Sequence, residues 1–166
     1  MDTFGPWMVV RRIGEIAIML LFTGMIVSAI LQVVARYVFN SPFTWSEELS
    51  RYLFIWLSFL GTWYAWIRRE HLGIDAVPQM LPPHMRRVLL WLIEVAVLIF
   101  AVASMIYGQR ILQISVRQPS AVLRVPMFWI YVSYYVAMTL ITAEILLGWL
   151  HNWLHPAPEK LPEGVN

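Results

Sequence analysis

Ile16 to Ala35 is a run of 20 residues without a charge. As α-helix, at about 1.5 Å per residue, it covers a hydrocarbon core of about 30 Å, so it reads as a membrane span. Val88 to Gln109 and Met127 to Leu150 are runs of the same kind, broken only by Glu94 and by Glu144. Leu53 to Ile67 holds only 15 uncharged residues. A helix begun near Trp45 is 23 residues long, about 34 Å, and carries Glu47, Glu48 and Arg51 in the headgroup layer. Composition closes the argument: 60% of the 166 residues are hydrophobic, 13% are charged and mean hydropathy is +0.65. That is more apolar surface than one soluble core hides, and the 24 aromatic residues suit a bilayer and its interfaces. The expected fold is an all-α integral membrane protein with four transmembrane helices at about 13–39, 45–67, 87–117 and 126–152. They form a single membrane domain over 1–155, followed by a disordered polar tail at 156–166.

The arginines set the expected orientation. With the N-terminus cytoplasmic, the inner segments hold Arg11, Arg12, Arg68, Arg69, Arg86, Arg87 and Lys160. The outer ones hold Arg36 and Arg51 at helix ends and Arg110, Arg117 and Arg124 in the last connection. Both termini are therefore expected to be cytoplasmic, with Arg11-Arg12 ahead of the first span in the manner of a signal-anchor. Between spans two and three, His71 to Met85 contains Gly73, Pro78, Pro82 and Pro83 but keeps Leu72, Ile74, Val77 and Leu81. That pattern predicts a short interfacial segment rather than a long helix. Span three has no proline from Met85 to Gln118 and is longer than the membrane is thick, so its outer end should project.

Several chemistries are excluded at once. The chain has no Cys, which removes disulfides, thiolate catalysis and Cys-ligated metals. His71, His84, His151 and His155 lie outside the apolar cores, so a bis-His haem site has no ligands. Net charge is +2 with no basic patch, so no nucleic acid is expected as a partner. No nucleophile, base and metal-ligand set comes together. The chain reads as a non-enzyme with no cofactor and no metal.

The sharpest local feature runs from Gln32 to Gly61. Asn40-Ser41-Pro42 ends the first helix, and Thr44 with Glu47 fits a capping box for the second. Arg51 lies one turn from Glu47 and Glu48, and Arg36 arrives at the same depth from span one. Arg36, Trp45, Glu47, Glu48 and Arg51 thus make an outer layer that either clips span one to span two or meets another protein. On the third-span projection, Arg110, Gln113 and Arg117 share a face with Arg124 returning nearby, a surface for docking a protein or for holding lipid phosphates. Glu15, Glu94 and Glu144 all lie near the inner end, at a depth that suits pairing or snorkelling at the interface.

The order and spacing of Gln32-Val33, Arg36-Tyr37, Phe39, Pro42, Trp45, Glu47-Glu48, Arg51, Trp56-Leu57 and Leu60-Gly61 resemble the small membrane subunit of tripartite ATP-independent periplasmic (TRAP) transporters. A weaker continuation lies in His71-Leu72-Gly73-Ile74-Asp75 and Leu123-Arg124-Val125-Pro126-Met127. The resemblance implies a multi-pass subunit of a bacterial or archaeal cytoplasmic membrane. In such a system a periplasmic binding protein captures a small organic acid and a large membrane subunit carries it with sodium. The small subunit braces the large one, and membrane lipids surround both. The rival reading is a self-contained proton-coupled exporter of the small multidrug type, with Glu15 as its carboxylate. Against it, Glu15 is only three residues from Arg12, close to the interface.

Overall fold

A backbone surrounded by apolar side chains has to satisfy its own N–H and C=O groups, and none of the ten prolines interrupts a long apolar run. The computed structural model describes residues 5–41, 43–68 and 81–154, which form four helices. They are α1 (Gly5–Tyr37), α2 (Thr44–Arg68), α3 (Pro83–Ser115) and α4 (Phe128–Leu154). The α1, α3 and α4 helices are long and apolar enough to cross a membrane. α2 has sufficient length at 25 residues, but Ser, Thr, Gly, Trp and Tyr dilute its hydropathy.

The helix ends depart from the sequence expectation where a charge or a proline was read as a boundary. α1 begins at Gly5, about two turns before residue 13, because Arg11 and Arg12 are compatible with a helix that continues beyond the apolar run. α3 begins at Pro83, inside the segment expected to be an interfacial turn. A proline in the first helical position lacks only an N–H that has no intrahelical acceptor there. Residues 71–80 of that segment, and the tail at 156–166, lie outside the described residues. α3 closes at Ser115, whose hydroxyl turns back to the Leu112 carbonyl (2.7 Å), and its 33 residues span about 50 Å. After α1, Asn40 takes a left-handed φ of 46°, which Asn tolerates, and the Ser41 N–H returns to the Ala35 carbonyl (3.2 Å). The start of α2 is closed by the Ser46 hydroxyl on the Phe43 carbonyl (2.7 Å). Among the described residues the Thr44 hydroxyl makes no capping bond of the kind expected.

The helices pack as a row, α1–α2–α4–α3, rather than as a closed bundle: among the described residues the helix backbones come together only between neighbours in that order, and one side-chain pair, Arg11 with Glu144, reaches past α2. α2 and α4 run in one direction, α1 and α3 in the other. Leu60 and Trp63 of α2 with Ile141 and Ile145 of α4 form the core, flanked by Ala17, Ile18 and Leu21 of α1 and by Val97 and Leu98 of α3. Trp63 is fully enclosed because Gly14 leaves room for it: a Cβ at Gly14 would stand 2.1 Å from Trp63 Cζ3. That notch seats the Trp63 ring against α1. A Cβ at Gly24 would meet Leu53 only at 3.4 Å.

Candidate functional site

One end of the row carries the α1–α2 turn and the α3–α4 connection. In that connection Pro119 and Pro126 pair as an antiparallel bridge, with Ser120 N–H on the Val125 carbonyl (2.9 Å) and Met127 N–H on the Gln118 carbonyl (2.9 Å). The result is a small hairpin. Arg124 in its tip adopts φ 56°, and the amides of Val122 and Leu123 point together at the Glu48 carboxylate, donating to Oε2 at 2.8 and 2.9 Å. The Tyr52 hydroxyl donates to Oε1 of the same carboxylate and lies 3.6 Å from Met127 Sδ. Glu48 is 6% exposed, so the one nearly buried charge at this end binds α2 to the hairpin. Three donors, two of them backbone, satisfy the anion without a cation.

The remaining residues of the expected outer layer are arranged differently. Glu47 and Arg51 pair at 3.2 Å with both side chains about two-thirds exposed, a contact that solvent screens. Trp45 stacks on Phe43, their ring centroids 6.1 Å apart. Arg36 is exposed and, among the described residues, forms no ion pair. α1 is fastened to α2 by neutral groups instead. Ser28 Oγ and Gln32 Nε2 both donate to the Ser46 carbonyl (2.8 and 3.0 Å), and Gln32 also reaches Ser50 Oγ (3.0 Å). Tyr52 and the hairpin amides were not legible as partners of Glu48. The available signals were the four-residue spacing of Glu48 and Tyr52 and the recurrence of family-like residues at 123–127. A groove of about 550 Å³ lies between the start of α2 and the hairpin, bordered by Thr44, Glu47, Arg51 and Gln118. Arg110, Gln113, Arg117 and Arg124 are all exposed around this end, and none of the three arginines has an acid partner among the described residues.

At the opposite end each of the three carboxylates has its own donor. Arg11 grips Glu144 with two bonds, Nε at 3.0 Å and Nη2 at 2.6 Å, bridging α1 to α4 across α2. Trp149 Nε1 donates to Glu94 (2.7 Å), joining α4 to α3. Tyr64 donates to Glu15 (3.1 Å) and accepts from Arg68, whose guanidinium also lies over the Tyr64 ring. Arg11 was not singled out in the sequence, although it shares a helical face with Gly14 and Ile18, which both reach the core. Between the two ends, Thr23, Ser58, Thr62 and Thr139 each return their hydroxyl to the carbonyl four residues earlier. Tyr134 and Tyr135 donate to the Ser104 and Met105 carbonyls beside Gly108, whose missing side chain admits them. Trp56 donates to the Trp129 carbonyl (3.1 Å). Among the described residues no group of three or more His, Asp or Glu could hold a metal ion.

A family model described as "Tripartite ATP-independent periplasmic transporters, DctQ component" matches residues 25–154. The chain belongs to this family. It is 36% identical over 90 residues, 54% of its length, to a protein of Haemophilus influenzae described as a candidate TRAP transporter small permease protein. It is 31% identical over 100 residues, 60% of its length, to the sialic acid TRAP transporter small permease protein SiaQ of Vibrio cholerae. The match spans 56% and 58% of the length of these two relatives. It is also 37% identical over 67 residues, 40% of its length, to the sialic acid TRAP transporter permease protein SiaT of Haemophilus influenzae, covering 11% of that larger protein. As a DctQ-family chain with several membrane-crossing helices, it is a multi-pass protein of the cytoplasmic (inner) membrane, in a family of transporter components rather than enzymes. The DctQ match starts within α1 and ends with α4, so it includes Glu48 and its hairpin, whereas Arg11, Gly14 and Glu15 precede it.

Proposed function

We propose that this chain is the small, non-catalytic membrane subunit of a sodium-coupled, binding-protein-dependent importer of small organic acids or related solutes, and that it braces a large transport subunit. In this reading α2 is the fourth span, the whole chain to residue 155 is one membrane domain, and both termini are cytoplasmic. The observation that carries it is the open row. Of the most apolar stretches of α1 and α3 only 6% is buried, while the carboxylates Glu48, Glu94 and Glu144 find their donors near the two ends of the row. Thr23, Ser58, Thr62 and Thr139 bond their own helix and the Tyr134 and Tyr135 hydroxyls bond α3, so among the described residues these mid-depth groups form no continuous line for a solute to follow. An open row in which each helix keeps an uncovered side suits bracing, because it offers surface to a partner and no polar pathway.

The exporter reading gains nothing from the geometry, since Glu15 is engaged by Tyr64 at the inner end. Reconstitution separates the two. The chain alone in liposomes under sodium or proton gradients should take up no organic acid and expel no cationic dye, while co-expression with the large subunit should yield a stable complex. Gradient-driven movement of either solute by the chain alone would overturn the bracing reading.

A further inference from the structure

α2 differs from its neighbours in what it leaves uncovered. Its exposed residues Glu47, Arg51, Phe54, Ser58 and Thr62 recur every three or four positions and so form one stripe along the helix, with only one large apolar side chain. The uncovered sides of α1 and α3 instead present residues such as Ile16, Leu20, Val27 and Ile30, or Leu92, Ile99, Phe100 and Ile106. Those aliphatic faces match lipid tails. The α2 stripe does not, and α2 is also the helix that falls short of membrane-crossing hydropathy.

Gly61 supplies a second, independent observation. Glycine inside a helix costs about 1 kcal/mol relative to alanine, so it persists where something needs the space. At Gly14 and Gly108 the need is internal, because a Cβ would collide with Trp63 or with Tyr134. At Gly61 a Cβ would meet nothing within 4 Å. The same holds at Gly148 of α4, but Gly61 alone of the two adjoins exposed hydroxyl-bearing residues, Ser58 and Thr62. At its outer end the stripe runs into the groove beside the hairpin, where Glu47 and Arg51 present both signs of charge one turn apart.

We propose that the uncovered stripe of α2 is the seat of one transmembrane helix of the large subunit, packed closely against Gly61 between Ser58 and Thr62 and meeting Glu47 and Arg51 with complementary charges at the outer end. Small and hydroxyl-bearing residues let helix backbones approach in lipid, and van der Waals packing then supplies the association. α1 and α3 keep their aliphatic faces for lipid. The inference rests on the bracing role proposed above.

Because Gly61 faces open space, Gly61→Leu should leave the isolated chain folded, with unchanged helicity and melting in detergent. In the co-expressed complex the same change should lower recovery of the large subunit by about tenfold, as overpacking a close helix contact does. Ile99→Trp on α3 should lower it by less than twofold. The chain has no Cys, so single cysteines report position directly. Ser58→Cys should cross-link to the large subunit in membranes and resist a lipid-soluble maleimide, while Ile99→Cys should react freely. Efficient labelling of Ser58→Cys in the complex, its cross-linking to a second copy of the chain, or full recovery with Gly61→Leu would each overturn the proposal. Failure of the unaltered chain to recover any large subunit would overturn the bracing role itself.

Discussion

Two buried carboxylates with opposite solutions show what single residues contribute. Glu144 has a cation: Arg11 binds it with two bonds at side-chain exposures of 24% and 6%, so removing Arg11 strands a charge in a poorly hydrated place. Arg11→Met should destabilise the detergent-solubilised chain by about 3 kcal/mol, read as a fall in melting temperature. The double change with Glu144→Met should come within about 1 kcal/mol of the original, since a well-packed apolar pair replaces a buried ion pair at little cost. Glu48 has no cation, so charge reversal at Arg51 should not rescue its loss. Glu48→Gln should instead free the hairpin tip, seen as faster amide exchange at Val122 and Leu123 with exchange in α4 unchanged. An unaltered exchange rate at these two amides would disprove the tether. The sequence marked Glu144 as a charge inside an apolar run, where ionised groups are rare, and Glu48 as part of an outer charged layer beside Arg51. It left their partners undetermined, because backbone amides of a distant hairpin carry no residue-type signature and Arg11 looked like one of several interfacial arginines.

For the helices, periodicity and charge-free length located all four, and the discrepancies concern ends and lateral order. Pro83 was read as a stop although its place at the first helical position makes it a start, and the row α1–α2–α4–α3 follows from contacts that hydropathy does not encode. The notch at Gly14 is of the same kind. A glycine one turn from Arg11 is unremarkable until Trp63 is seen to fill the space above it. Trp63 has no exposed surface into which it can retreat, so Gly14→Ala should cost about 1–3 kcal/mol and loosen α1 from α2. Replacing Trp63 by Leu in the Gly14→Ala background should lose less than the two single changes added together. Strict additivity in that cycle would show that the two residues do not share the space. At the other side of the row, Gly108→Ala would bring a Cβ to 2.7 Å from the Tyr134 hydroxyl. It should weaken the α3–α4 contact by displacing the bond to the Ser104 carbonyl.

For the whole molecule, the distribution of unpaired charge decides how the outer end is used. The 33 residues of α3 exceed what a hydrocarbon core of about 30 Å requires, so in the proposed orientation its last turns stand beyond the apolar layer with Arg110, Gln113 and Arg117 exposed. The hairpin that follows, tied to α2 through Glu48, holds Arg124 in fixed relation to them. Such a cationic rim faces either lipid phosphates or an acidic protein surface in the periplasm, and the two differ in kinetics. Exposed charges at a protein contact act mainly on encounter, so their effect is largest at low ionic strength and at limiting partner. Lipid contacts are always saturated and insensitive to a soluble protein. Changing Arg110 and Arg117 together to Glu should leave assembly with the large subunit intact and raise the concentration of binding protein that gives half-maximal uptake, most strongly at low salt. Uptake by the reconstituted system across a titration of binding protein measures this. An unchanged half-saturating concentration at every ionic strength would assign the rim to lipid and leave the hairpin as a brace between α2 and α4.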